Sequence, residues 1–150
     1  MERTLFSLFI LALAVFVTTG CGGQRLPDGM PRLYPVSVTV TQEGTPLANA
    51  TVSLFPEDAA LQQWAPMGTT DAAGTAELFV NGLYKGAPLG TFKVAVSKRE
   101  AVPDSNPPKI RDFVEPQYGR TDTPLNVVIV AGQKEYAVDA GKKVNVESAN

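Results

Sequence analysis

Histidine is absent from this chain of 150 residues. That removes Ser-His-Asp and Cys-His nucleophile systems, histidine-ligated zinc, and the usual general base near neutral pH. Cysteine is nearly absent too. Cys21 is the only one, so neither an internal disulfide nor a cysteine-based zinc site is available. Basic charge is nowhere concentrated: Lys and Arg number 13 against 15 Asp and Glu, a net charge of −2, which argues against nucleic acid as a partner. The run Leu5 to Val17 is apolar except for Ser7, but its thirteen residues fall short of the about 20 a membrane-crossing helix needs. These gaps leave no catalytic residue, metal site or cofactor to expect.

The same run has the length and composition of the h-region of a secretory signal. Arg3, offset by Glu2, gives a weakly positive start, and the small residues Thr18, Thr19 and Gly20 close the segment. Gly20-Cys21 at the end of such a run resembles the lipobox of bacterial lipoproteins. The resemblance implies that residues 1–20 are a signal peptide removed before Cys21, whose sulfur takes a diacylglycerol. It also implies a further palmitate-type acyl chain on the new amino terminus. Thr18 stands where lipoboxes usually carry Leu, and Thr18-Thr19-Gly20 also suits an ordinary signal peptidase. Plain secretion is therefore the alternative. Gly22, not Asp, follows the cysteine. In a host with an outer membrane, this implies placement in that membrane or at the cell surface. Two or three acyl chains, at about 0.8 kcal/mol per buried CH2, hold a protein on a membrane for long times.

Residues 21–35 are rich in Gly and Pro without any period, which predicts a flexible tether. From Val36 the pattern changes. Val36, Val38 and Val40 alternate with Ser37, Thr39 and Thr41, as in a half-buried strand. Glu43-Gly44-Thr45-Pro46 predicts a turn, and Val52 and Leu54 form the next inward pair before Pro56. Asp71-Ala72-Ala73-Gly74 reads as a type I turn, not a calcium loop, because Ala72, Ala73 and Thr75 do not supply the alternating oxygens. Ala76, Leu78 and Val80 form one inward set, and Phe92, Val94 and Val96 another. Leu125 to Val130, apolar on both faces, predicts a central strand, and Tyr136 and Val138 a last one. Residues 141–150 read as a frayed tail. Nowhere in the mature chain does helical spacing extend over three turns. About seven short strands over residues 36–140, with Gly/Pro turns, predict a single all-β domain, a seven-stranded antiparallel sandwich.

Five blocks in order add a resemblance over about residues 36–140. They are VSVTVTQEGTPLANATVSLFPED, its Gly44, Pro46-Leu47, Ala50 and Val52 to Phe55; GTTDAAGTAEL around Asp71 and Gly74; PLGTFKVAV; and, in the C-terminal YGRTDTPLNVVIVAGQKEYAVD, a Thr-Pro-Leu strand and a last Gly turn and strand. Together they resemble carboxypeptidase regulatory-like domains, the transthyretin-type sandwich of many envelope lipoproteins. The resemblance implies an Ig-like, transthyretin-like (prealbumin-like) fold and a cell-envelope compartment, with no catalytic residues to carry over. Transthyretin-like hydrolases use histidines and a C-terminal Tyr-Arg-Gly-Ser, and this chain has neither.

Two groups of residues are candidates for binding. The connection Lys98 to Pro124 has 27 residues and five prolines, and loops of that length are usually functional or disordered. Its Ile110, Phe113, Val114 and Tyr118 either fold back onto the sandwich or form a docking surface for an envelope partner. Tyr118 is expected to cover an open end, its hydroxyl on a backbone group. Trp64 and Tyr84 are candidates for an aromatic platform that takes a sugar or peptide. The function expected is therefore a lipid-anchored envelope sandwich with a non-catalytic structural or protein-interaction role. The alternatives are a sugar- or peptide-binding module and a small hydrolase working through Lys, Asp or Glu.

Overall fold

Alternation of valine with threonine and serine sets the first strand. β1 (Ser37–Gln42) buries Val38, Val40 and Gln42 and leaves the residues between them half covered. Glu43 and Gly44 both take positive φ, 49° and 78°, as a two-residue type I′ hairpin requires. They lead into β2 (Thr45–Pro46). β3 (Thr51–Pro56) buries Val52 and Leu54. A 3-10 helix, Ala59–Trp64, capped by the Asp58 side chain, follows. Then come β4 (Pro66–Thr69), β5 (Thr75–Glu77), β6 (Phe79–Val80), β7 (Tyr84–Lys85) and the long β8 (Gly90–Ser97). β9 (Arg99–Ala101) and β10 (Lys109–Val114) precede a short 3-10 turn, Pro116–Tyr118. β11 (Asn126–Ile129), β12 (Glu135–Asp139) and β13 (Lys143–Ala149) complete the chain. This computed structural model describes residues 26–149. The segment expected to be a signal peptide, and Cys21, expected to be the anchor, lie outside the described residues.

The structure is all-β, with sandwich-like packing. One sheet sets β1 between β12 on one side and β2 and β5 on the other. A second runs β11-β8-β3-β4-β6-β7, and a third, smaller one runs β13-β10-β9. Between the first two lies one apolar core. Val38 and Val40 of β1, Val52 and Leu54 of β3, Phe92, Val94 and Val96 of β8, and Ile129 of β11 are all almost fully buried there. Thr70 is one of three buried polar residues among those described, with Gln42 and Thr123, and it is satisfied. Its hydroxyl donates to the Leu47 carbonyl at 2.6 Å and accepts from the Ala50 amide at 2.8 Å, as a buried polar group must.

Several expectations change. The antiparallel sandwich contains one parallel pair, β1 with β12, in register from Ser37 opposite Glu135 to Thr41 opposite Asp139. The reason is topological: the chain leaves β11, crosses to the other sheet, and starts β12 where β1 starts, with the Lys134 carbonyl accepting from the Ser37 amide. The set Ala76, Leu78 and Val80 is buried but is not one strand. β5 pairs with β1, whereas β6 pairs with β4 in the other sheet, so the chain changes sheets at Leu78. The apolar run around β11 is an edge strand, not a central one, and it leaves Val128 and Val130 exposed. The tail expected to fray forms β13, which pairs with β10 from Lys109 opposite Ala149 to Val114 opposite Lys143. Tyr34, within the segment expected to be a tether, is pinned to Ala87 by two backbone hydrogen bonds of 2.9 Å. The Asp71 turn is as expected, with Asp71 Oδ1 accepting from the Ala73 and Thr75 amides.

The registers give the sandwich two distinct ends. Where β1 begins lie Tyr34, the β11–β12 turn, and the β8 start, where Gly90 stands opposite Ile129. Where β1 finishes lie the Glu43–Gly44 hairpin, Asp139, and the third sheet, which leaves β8 at Ser97. At about 3.3 Å per residue, the six residues of β1 separate these ends by about 20 Å.

Candidate functional site

Gln42 is the residue from which the site at the far end of β1 is built. It occupies an inward position of the Val38, Val40, Gln42 alternation and is only 7% exposed. Its Nε2 donates to the Phe113 carbonyl at 3.0 Å and to the Lys142 carbonyl at 3.3 Å. Two carbonyl acceptors can be met only by the amide NH2, so the orientation of the side chain is fixed. A strand of the sandwich thereby holds both β10 and the approach to β13. The third sheet is a flap laid over this end.

Beside Gln42 opens a cleft of about 410 Å³, walled by Pro46 and Leu47 on the β1–β2 side and by Phe113 on the flap. Lys98 and Lys143 supply cations, and Glu43 an acid. Lys98 Nζ lies 5.3 Å from the Phe113 ring centroid, close enough for a cation–π contact. Its pairing with Glu100 is long, 3.9 Å. Glu43, at the rim, holds a left-handed φ that non-glycine residues rarely adopt.

Behind the cleft, ion pairs knit the flap. Arg99 meets Asp112 at 2.7 Å, and Arg111 meets Glu147 at 2.6 Å. The Arg111 hydrogen bond holds the Glu147 carboxyl below its ordinary range, with help from the charges of Arg111 and Lys109. Arg111 Nε is buried without a partner, a cost the flap carries. On the β12 side, Asp139 Oδ2 accepts from the Thr41 hydroxyl at 2.8 Å and from the Gly44 amide, and its Oδ1 accepts from Gly141. These bonds, the Thr41 hydroxyl's foremost, lower its pKa against a smaller opposing effect of burial.

The four flap residues singled out in the sequence divide. Val114 is 5% exposed and belongs to the core, and Tyr118 packs against that core with its ring over Gly141. Ile110 is half buried. Phe113 alone among them lines the cleft. The expected hydroxyl-to-backbone bond is made instead by Tyr136, which accepts from the Val130 amide at 3.0 Å. The aromatic platform does not assemble: the 3-10 helix turns Trp64 inward to 7% exposure. Tyr84 lines a different, shallow cleft with Leu26, Met30 and Leu33. Gln42 and Lys143 were missed. The sequence did carry a signal for Gln42, a polar residue at an inward strand position, which is costly unless it is used. Lys143 was hidden in the segment expected to fray.

No protein-family model matches this chain, and neither a curated protein nor a solved structure shows significant similarity to it. The cleft is accordingly read on its own chemistry. Two ammonium groups, an apolar floor and a fixed amide suit a peptide segment that pairs an acidic side chain with an apolar one.

Proposed function

We propose that this chain is a cell-envelope lipoprotein whose transthyretin-like sandwich, of carboxypeptidase regulatory-like type, is a non-catalytic interaction module held to a membrane through Cys21. The partner is an envelope protein, and the cleft between the β1–β2 hairpin and the flap is where it docks. One observation carries this reading: a buried Gln42 amide organises a cleft at the end of the sandwich opposite the chain's entry at Tyr34. Such a placement turns the cleft away from the anchor. The burial of Trp64 removes the basis for the sugar-platform alternative.

The test compares partners cross-linked to the protein in its own envelope. Phe113→Ser with Lys143→Glu is expected to lose a partner that Val128→Ser, on the exposed β11 edge, retains. Identical partner profiles for both variants would sink the cleft as the docking site. Incorporation of labelled fatty acid, abolished by Cys21→Ser, is the matching expectation for the anchor.

A further inference from the structure

Four of the large apolar side chains left exposed lie at the end of the sandwich where β1 begins. Leu83 is 64% exposed, Leu26 53%, Val130 45% and Leu89 39%. Their placement follows from register. Leu83 is in the hairpin beyond Val80, which pairs with Pro66. Leu89 and Val130 flank the Gly90–Ile129 pair. Scattered apolar residues are ordinary on a surface; these share one end of the sandwich, spread from the β6–β7 hairpin to the β11 edge.

What covers that end follows from where the chain enters. Leu26 lies in a cleft with Met30, Leu33 and Tyr84, and Tyr34 is hydrogen-bonded to Ala87. Only five residue steps separate Leu26 from Cys21. At no more than about 3.6 Å per residue, the anchor is within about 18 Å of Leu26.

Resting on the lipid-anchor reading, we infer that the β1-start end of the sandwich docks onto the phospholipid bilayer, with Leu83, Leu89 and Val130 entering the headgroup layer beside the entering chain. The contact is apolar, not electrostatic. Lys85 is already paired with Glu77 at 2.6 Å, and Asp28, Glu57 and Glu135 outnumber the remaining Arg32 and Lys134. The docked domain therefore stands upright with its flap and cleft about 20 Å further out.

The test uses the mature chain from Cys21, whose unique thiol is coupled to a maleimide phospholipid. It is placed on nanodiscs of phosphatidylethanolamine and phosphatidylglycerol containing a trace of gadolinium-headgroup lipid. Amides of Leu83, Leu89 and Val130 are expected to broaden at least twofold more than those of Thr45, Ser105 and Lys143, with the difference kept in 0.5 M salt, a roughly twofold shorter screening length than at 0.1 M. Leu83→Glu with Leu89→Glu, changes confined to exposed side chains, is expected to abolish it. Equal broadening at both ends, stronger broadening at the flap end, or protection that persists without lipid through self-association would overturn the docking. The anchor is judged separately, by the intact mass of the cell-derived chain: an unmodified Cys21 refutes the lipoprotein reading whatever the nanodiscs show.

Discussion

Asp139 collects three hydrogen bonds at the point where β12, the β1–β2 hairpin and the approach to β13 meet. These bonds favour the ionised carboxylate, since protonation turns one oxygen into a donor and weakens its acceptance, and its pKa lies below the ordinary 3.8 for that reason, the Thr41 hydroxyl contributing most. A lowered folded-state pKa means that the unfolded chain takes up the proton first on acidification. The stabilisation is therefore complete above the ordinary value and is lost as pH falls through the folded one. Thermal melts should hold a constant Tm from pH 7 to about 5 and fall at lower pH. Asp139→Asn should lower the neutral-pH Tm and flatten that acid limb. An acid limb as steep as in the parent would remove Asp139 from the account.

At the scale of elements, the flap depends on the sandwich through few contacts, and Gln42 is the central one. Gln42→Ala leaves the Phe113 and Lys142 carbonyls without their donor, and loss of a buried hydrogen-bond partner costs about 1–3 kcal/mol. The loss should be local. Amide exchange in β10 and β13 is expected to quicken by about tenfold or more, while β3 and β8 keep their protection; uniform quickening would mean that the flap is not a separate unit. Elements also show where reading a sequence stops. Inward positions of β1, β3 and β8 were legible because period-two alternation is local, as were the Glu43-Gly44 and Asp71–Gly74 turns, set by their own residues. Pairing was not. Whether LNVVIV lies in the middle or at the edge, or Leu78 ends one strand and begins another, depends on partners dozens of residues away. β13 was illegible for the same reason: mostly exposed, its sequence carries no buried alternation, and only β10 gives it form.

On the scale of the whole molecule, the point where the entering chain meets the domain is narrow. Gly86 sits there with φ at +115°, and a Cβ on it would run into the Tyr34 carbonyl. A side chain at such a φ is strained in its own right, at about 1–3 kcal/mol. Gly86→Ala should therefore lower stability by about that amount and release the Tyr34–Ala87 bridge, read as faster exchange at both amides. An unchanged Tm would show that the entering segment contributes nothing to the fold. The candidate site was legible only in part. Phe113 was singled out from the long connection, but the cleft depends on Gln42 and Lys143 arriving from opposite ends of the chain, a juxtaposition no local pattern encodes.

The parallel seam between β1 and β12 has a consequence in time. A chain synthesised from its amino terminus delivers Ser37 long before Glu135, its eventual neighbour. The earliest strand must wait, one flank raw, until almost the last has come through. Closing a loop of that size carries an entropic toll that grows only slowly with length. Delay, more than energy, is what this connectivity imposes. The domain closes late, only once β12 has been delivered to β1.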